Sequence, residues 1–214
     1  LLMATVGDRR PNREESAFVG RVIEATARFF RVGSRLTAED IPAFGAFVQT
    51  ARGETTIIGV IYDLVLHGDE LTRIVALQEA PPGEVQRDMI DNRNIPVEIG
   101  VLTLGYLRER GTYYGIPQQP PALLEPVYTC LPGQIRRFTE RLDFIRTLVE
   151  AREASDDVLA AALREAAAAH PAPARRDFLI RSGQELTRLL AEEPIRLAQV
   201  LRRLRTAMED VGAM

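Results

Sequence analysis

The hydrophobic period of this chain changes once, at about Pro132. Before that point apolar residues fall in short runs with two-residue alternation, β-branched side chains and frequent Gly. After it they recur every three or four residues. A strand-rich half followed by a helix-rich half predicts an α+β fold. The expected architecture is a small closed N-terminal β-barrel of about six strands, then a C-terminal α-helical region of about four helices. The expected boundaries are a flexible polar N-terminus over 1–16, the barrel over 17–132 and the helical domain or tail over 133–214.

Six strands are expected in the first half: Phe18–Ala25, Ala43–Thr50, Thr55–Leu66, Ile95–Tyr106, Tyr113–Gly115 and Pro126–Leu131. Gly20, Gly45, Gly59, Gly100 and Gly105 suit bulges and close backbone approach in a curved sheet. Short strands punctuated this way favour a closed barrel over an open sheet. Between Leu66 and Ile95 the alternation stops. Asp69 to Leu77 reads as a helical turn or a strand, and Glu84 to Asn92 as a short helix or a loop.

In the second half Ile135, Phe138, Leu142, Ile145 and Val149 form one apolar stripe, which predicts a helix from Gly133 to about Ala154. Ser155 followed by Asp156 and Asp157 starts a second helix that runs to about Ala169. A third spans about Ala174 to Ala191. The fourth begins near Pro194, a residue suited to a first helical position. Leu197, Leu201, Leu204, Met208 and Val211 then make a heptad-like seam. Such a seam needs cover, from the rest of the chain or from a partner or second copy.

Composition limits the chemistry. All 27 basic residues are Arg. Without Lys there is no side-chain Schiff base and no phosphate-gripping Lys of a nucleotide-binding loop. No Gly-x-Ser-x-Gly occurs, and Ser182-Gly183 lies in a predicted helix. Cys130, at the end of an apolar strand, reads as a buried small hydrophobe rather than a nucleophile with His67 or His170. No catalytic, metal or cofactor site is expected. His67-Gly68-Asp69-Glu70 is too sparse for a metal and reads as a solvated turn. An enzyme reading would need His67, Asp69, Asp88 and Asp91 to converge in one pocket.

The net charge is −3, with −4 over 1–132 and +1 over 133–214, so no basic footprint for nucleic acid stands out. The nearest candidates for nucleic-acid contact are Arg202, Arg203 and Arg205, interspersed with acids that pair them. Tyr106, Tyr113 and Tyr114 are the only near-clustered stacking candidates. A single Cys suits a reducing compartment. No apolar run approaches the roughly 20 residues of a membrane helix, so a cytoplasmic protein with no membrane contact is expected.

Five pieces of the barrel half follow one pattern: Val19-Gly20-Arg21-Val22, Ile41 to Val48, Ile58 to Asp63, Ile95 to Tyr106, and Pro120 to Tyr128. In this order they resemble the HAS barrel, the small N-terminal β-barrel of HerA-type DNA-translocating ATPases, related to the crown of rotary ATP synthase rings. The resemblance covers about residues 17–132. In that family an ATPase with a phosphate loop follows the barrel; here about 80 residues of predicted helix follow instead. The resemblance therefore implies the barrel's other role, packing side by side in rings and docking a partner such as a nuclease. The expected function is a non-enzymatic assembly or adaptor protein that oligomerises or docks a separately encoded ATPase or nuclease. The alternatives are a nucleic-acid-binding accessory subunit that uses the helical Arg clusters, and an enzyme built around His67.

Overall fold

A computed structural model describes residues 16–68, 70–77 and 95–212, with 206–212 described by backbone alone. Seven strands are present among them: β1 Phe18–Ala25, β2 Phe29–Leu36, β3 Phe47–Arg52, β4 Thr55–Leu66, β5 Ile95–Arg108, β6 Gly111–Tyr114 and β7 Pro126–Thr129. Six α-helices accompany them: α1 Glu70–Ala76, α2 Pro132–Thr139, α3 Asp143–Glu150, α4 Asp156–Ala169, α5 Ala172–Leu189 and α6 Pro194–Gly212. The sheet order is β2-β1-β7-β3-β4-β5-β6, and β2 also pairs with β5. Six strands thus close on themselves through antiparallel pairings, while β6 hairpins onto β5 outside the ring. The closing seam is regular, running from Phe29 opposite Leu102 to Leu36 opposite Ile95. Five helices follow the last strand, and α1 lies between β4 and β5.

Burial explains the two styles of strand. One core cluster fills the lumen, with Val22, Phe30, Val32, Val48, Ile57, Ile61, Ile99, Val101 and Val127. A second lies on the outer side of β3, β4 and β5, where Phe47, Ile58, Val60, Leu102 and Leu104 meet α2 to α6. Strands covered on both faces read as continuous apolar runs, and Ile57 to Ile61 is buried without a break. β2 has a helix-free outer face and alternates instead, with Phe30, Val32 and Leu36 buried.

Two expected elements differ, and one strand is additional. The second strand begins at Phe47 rather than Ala43, because Phe44 and Gly45 form a turn whose Gly45 N–H donates to the Ile61 carbonyl at 2.9 Å. No strand was expected over β2. The predicted helix from Gly133 to Ala154 is two helices, α2 and α3, separated at residues 140–142. Side chains from elsewhere in the fold meet the chain at the break. The Tyr114 hydroxyl donates to the Phe138 carbonyl at 2.7 Å and the Arg181 guanidinium to that of Glu140 at 3.5 Å, which gives helix-end carbonyls outside partners.

Ser155 caps α4, accepting from the Val158 N–H at 3.4 Å. The small buried Ala160, Ala162, Ala166 and Ala167 let neighbouring helices lie close to α4. Two ion pairs fasten α6 to the N-terminal turn of α4: Arg196 to Asp156 at 2.9 Å and Arg203 to Asp157 at 2.6 Å. The segment Glu84 to Asn92 lies outside the described residues.

Candidate interaction surface

The helices cover the outer wall of β3–β5, and among the described residues no helix covers that of β1 and β7. On this open wall Phe18 packs edge-on against Tyr128, with ring centroids 5.7 Å apart. The Arg21 guanidinium lies 5.9 Å from the centre of the Phe18 ring and donates to the Leu124 carbonyl at 3.0 Å. Ile23 sits over Gly33 of β2. The connector before β7 adds Leu123 and Leu124, which are 65% and 67% exposed. They are the central pair of a tight turn closed by the Glu125 N–H on the Ala122 carbonyl at 3.2 Å. The backbone pins this turn to β1: Leu124 N–H donates to Val22 O, and Val22 N–H to Glu125 O.

Leu124 is the one described non-glycine residue with positive φ, at 67°. This conformation costs an L-residue with a bulky side chain about 1–2 kcal/mol. A strained, exposed Leu gains nothing from the core. The surface therefore joins large apolar side chains to a backbone that holds one of them outward at a cost. Sequence reasoning did not single out Phe18, Leu123, Leu124 or Tyr128. The available signal was Leu123-Leu124 itself, an apolar pair in a connector bounded by Pro121 and Pro126.

The seam residues separate. Leu204 is buried, Leu197 packs partly buried against the helical core, and Leu201 is 38% exposed. Val200, outside the predicted seam, is fully buried in its place. The side chains of Met208 and Val211 lie outside the described residues. Of the three Arg candidates for nucleic acid, Arg203 is paired with Asp157, Arg202 also has a partner, and Arg205 is exposed.

His67 is exposed, with Nε2 3.6 Å from Glu98 Oε2, and Glu98 in turn is ion-paired with Arg31. The Arg31 partner holds the Glu98 carboxyl below its ordinary range. Asp69, Asp88 and Asp91 lie outside the described residues. Cys130 is buried, and desolvation pushes its thiol up, away from the reactive thiolate. His170 stacks on Phe178 at 4.7 Å, far in role from a nucleophile's base. Among the described residues no group of His, Cys, Asp or Glu is placed to hold a metal, and no helix is long and apolar enough to cross a membrane. Tyr106 and Tyr113 stack as a cross-strand pair at 5.0 Å, while Tyr114 turns to α2. Neither a protein-family model nor a curated protein matches this chain.

Proposed function

We propose that this protein is a non-enzymatic assembly protein that associates with further copies of itself through the open wall of its barrel. The observation that carries this reading is the outward-held apolar set of Phe18, Ile23, Leu123, Leu124 and Tyr128, with Leu124 kept at φ 67°. Charges of both signs surround the set, Arg21 and Arg31 with Glu24 and Glu125, and Arg31 pairs with Glu24 at 3.5 Å, so two copies of the wall meet without a large like-charge excess. The resemblance to the HAS barrel supports the same reading, because those barrels pack side by side in rings. It also extends the proposal to an adaptor for a separately encoded ATPase or nuclease, in which the helical region that follows the barrel stands where the family carries its ATPase.

Light scattering on the full chain across a concentration series tests this. The chain is expected to form a defined oligomer, and Leu124→Asn to weaken it by about tenfold or more. Asn tolerates the left-handed backbone, so the same variant is expected to keep its stability or gain up to about 1 kcal/mol. A chain that stays monomeric at all concentrations, or an oligomer indifferent to Leu124→Asn, overturns the proposal.

A further inference from the structure

The far end of the barrel carries a second feature, independent of the open wall. A cleft of about 250 Å³ lies between the end of the β3–β4 hairpin, the end of β5 and the connector after β6. Arg52, Thr55, Arg108, Pro117, Gln118 and Gln119 line it. Arg52 and Thr55 are register partners at the tip of the hairpin. Arg52 Nε donates to Gln119 Oε1 at 3.3 Å, and Arg108 Nε donates to Thr55 Oγ1 at 3.1 Å. Arg108 also lies 5.1 Å and 6.0 Å from the ring centres of Tyr106 and Tyr113.

Each contact holds a guanidinium by its inner nitrogen, and among the described residues no hydrogen bond or ion pair engages either outer Nη pair. The Gln119 carbonyl oxygen and the Thr55 oxygen already accept from Arg. What they still offer is donors, the Gln119 amide N–H groups and the Thr55 O–H. No carboxylate lines the cleft; Glu54 and Glu109 line a separate cleft that shares Arg108. Arg31, Arg196 and Arg203, by contrast, are ion-paired with Glu98, Asp156 and Asp157. The cleft is small for a whole drug-sized ligand and suits a single polyatomic group.

We infer that this cleft binds a phosphate group, taken between the outer nitrogens of Arg52 and Arg108. A phosphate dianion is acceptor-only, matches two guanidinium forks, and neutralises two cations that are otherwise held by the neutral side chains of Gln119 and Thr55. Pre-orientation of Arg108 by Thr55 and the tyrosine pair lowers the ordering cost of binding.

Calorimetric titration of the full chain at low ionic strength tests the inference, with inorganic phosphate against chloride at matched ionic strength. A second arm compares a short single-stranded oligonucleotide with and without a 5′-phosphate. Binding is expected for at least one phosphate source, weakened about tenfold or more in Arg52→Gln and in Arg108→Gln with unchanged circular dichroism. Binding of inorganic phosphate assigns a free ion; binding only of the 5′-phosphorylated oligonucleotide assigns a terminal phosphate on nucleic acid. No binding from either source, or binding that survives both substitutions, overturns the inference. Loss only in a variant with altered circular dichroism is resolved by Gln119→Leu, which keeps both charges and is expected to weaken binding by freeing Arg52.

Discussion

Gly45→Ala probes the contact that joins barrel and helices. Gly45 has φ 83°, and a Cβ built there falls 2.4 Å from Ala161 Cβ and 2.8 Å from the Ala161 carbonyl carbon. Ordinary contacts begin at 3.4 Å, so α4 or the turn must retreat by about 1 Å. α4 is buried along Val158 to Leu163 and cannot yield freely. Overpacking of this kind costs about 1–3 kcal/mol. The left-handed backbone adds about 1–2 kcal/mol for an alanine. Together these give a loss of about 2–5 kcal/mol, a large part of the 5–15 kcal/mol that holds a domain folded. In a chain of this length the midpoint of thermal unfolding falls by about 4–20 °C.

Gly53 supplies the control. Its φ is 58°, but nothing lies within 4 Å of an added Cβ, so Gly53→Ala tests the backbone cost alone, about 1 kcal/mol. Urea unfolding followed by circular dichroism measures both variants. Ala161→Gly in the Gly45→Ala background removes the closest overlap, that with the Ala161 Cβ, and leaves the one with its carbonyl carbon, although glycine in a helix costs about 1 kcal/mol by itself. The double-mutant cycle is expected to show a favourable coupling of about 1 kcal/mol or more between the two sites. Equal losses from Gly45→Ala and Gly53→Ala, or additive behaviour of positions 45 and 161, refute the close approach of α4 to the barrel.

Two further outcomes follow from the helical half. Leu201→Glu places a charge on an exposed position of α6 and is expected to cost under about 1 kcal/mol, whereas Val200→Glu buries one without a partner and costs more than about 3 kcal/mol; denaturant midpoints of the two variants separate the readings, and a reversed order places the seam the other way round. Burial, with Arg136 and Arg181 adding to it, holds the His170 imidazole below its ordinary value. The unfolded chain then binds the extra proton first, so this histidine's contribution is intact above about pH 6.5 and is lost as the pH falls below it. His170→Gln is expected to flatten that part of the pH dependence, measured by urea unfolding between pH 7 and pH 5; a slope unchanged by the substitution contradicts the assignment.

The parts of the fold legible in sequence are those whose signal is local. Ser155 with two following acids marks the start of α4, and Pro194 that of α6, because caps act within one turn. β4 is legible because burial on two faces makes Ile57 to Ile61 apolar at every position but Gly59. β2 alternates correctly, but Gly33 and Ser34 interrupt the β-branched composition that marks the other strands. The α2–α3 break is invisible for a different reason. The stripe from Ile135 to Val149 continues in phase through Leu142, and the groups that end α2 come from Tyr114 and Arg181, distant in sequence. Leu124 shows the same limit, since the turn that holds it at positive φ is pinned by backbone bonds to Val22. The cleft at Arg52 and Arg108 depends on a register, Arg52 opposite Thr55, that no single segment encodes.

These limits bear on function. A closed barrel has no ring edge to offer, so association through the barrel uses side chains on its outer wall or the hairpin strand β6. The helical region covers the wall along β3, β4 and β5, and does so with the core residues Phe47, Ile58, Val60, Leu102 and Leu104. That leaves the wall along β2, β1 and β7, where polar outward residues suffice for solubility. Instead Phe18, Ile23 and Tyr128 stand there, joined by two leucines from a turn that pays for its shape in backbone strain. Stability alone favours Gly or Asn at position 124. A leucine at that position is the feature that supports the proposed association, and the mixed charge around it fits a second copy better than a strongly charged partner.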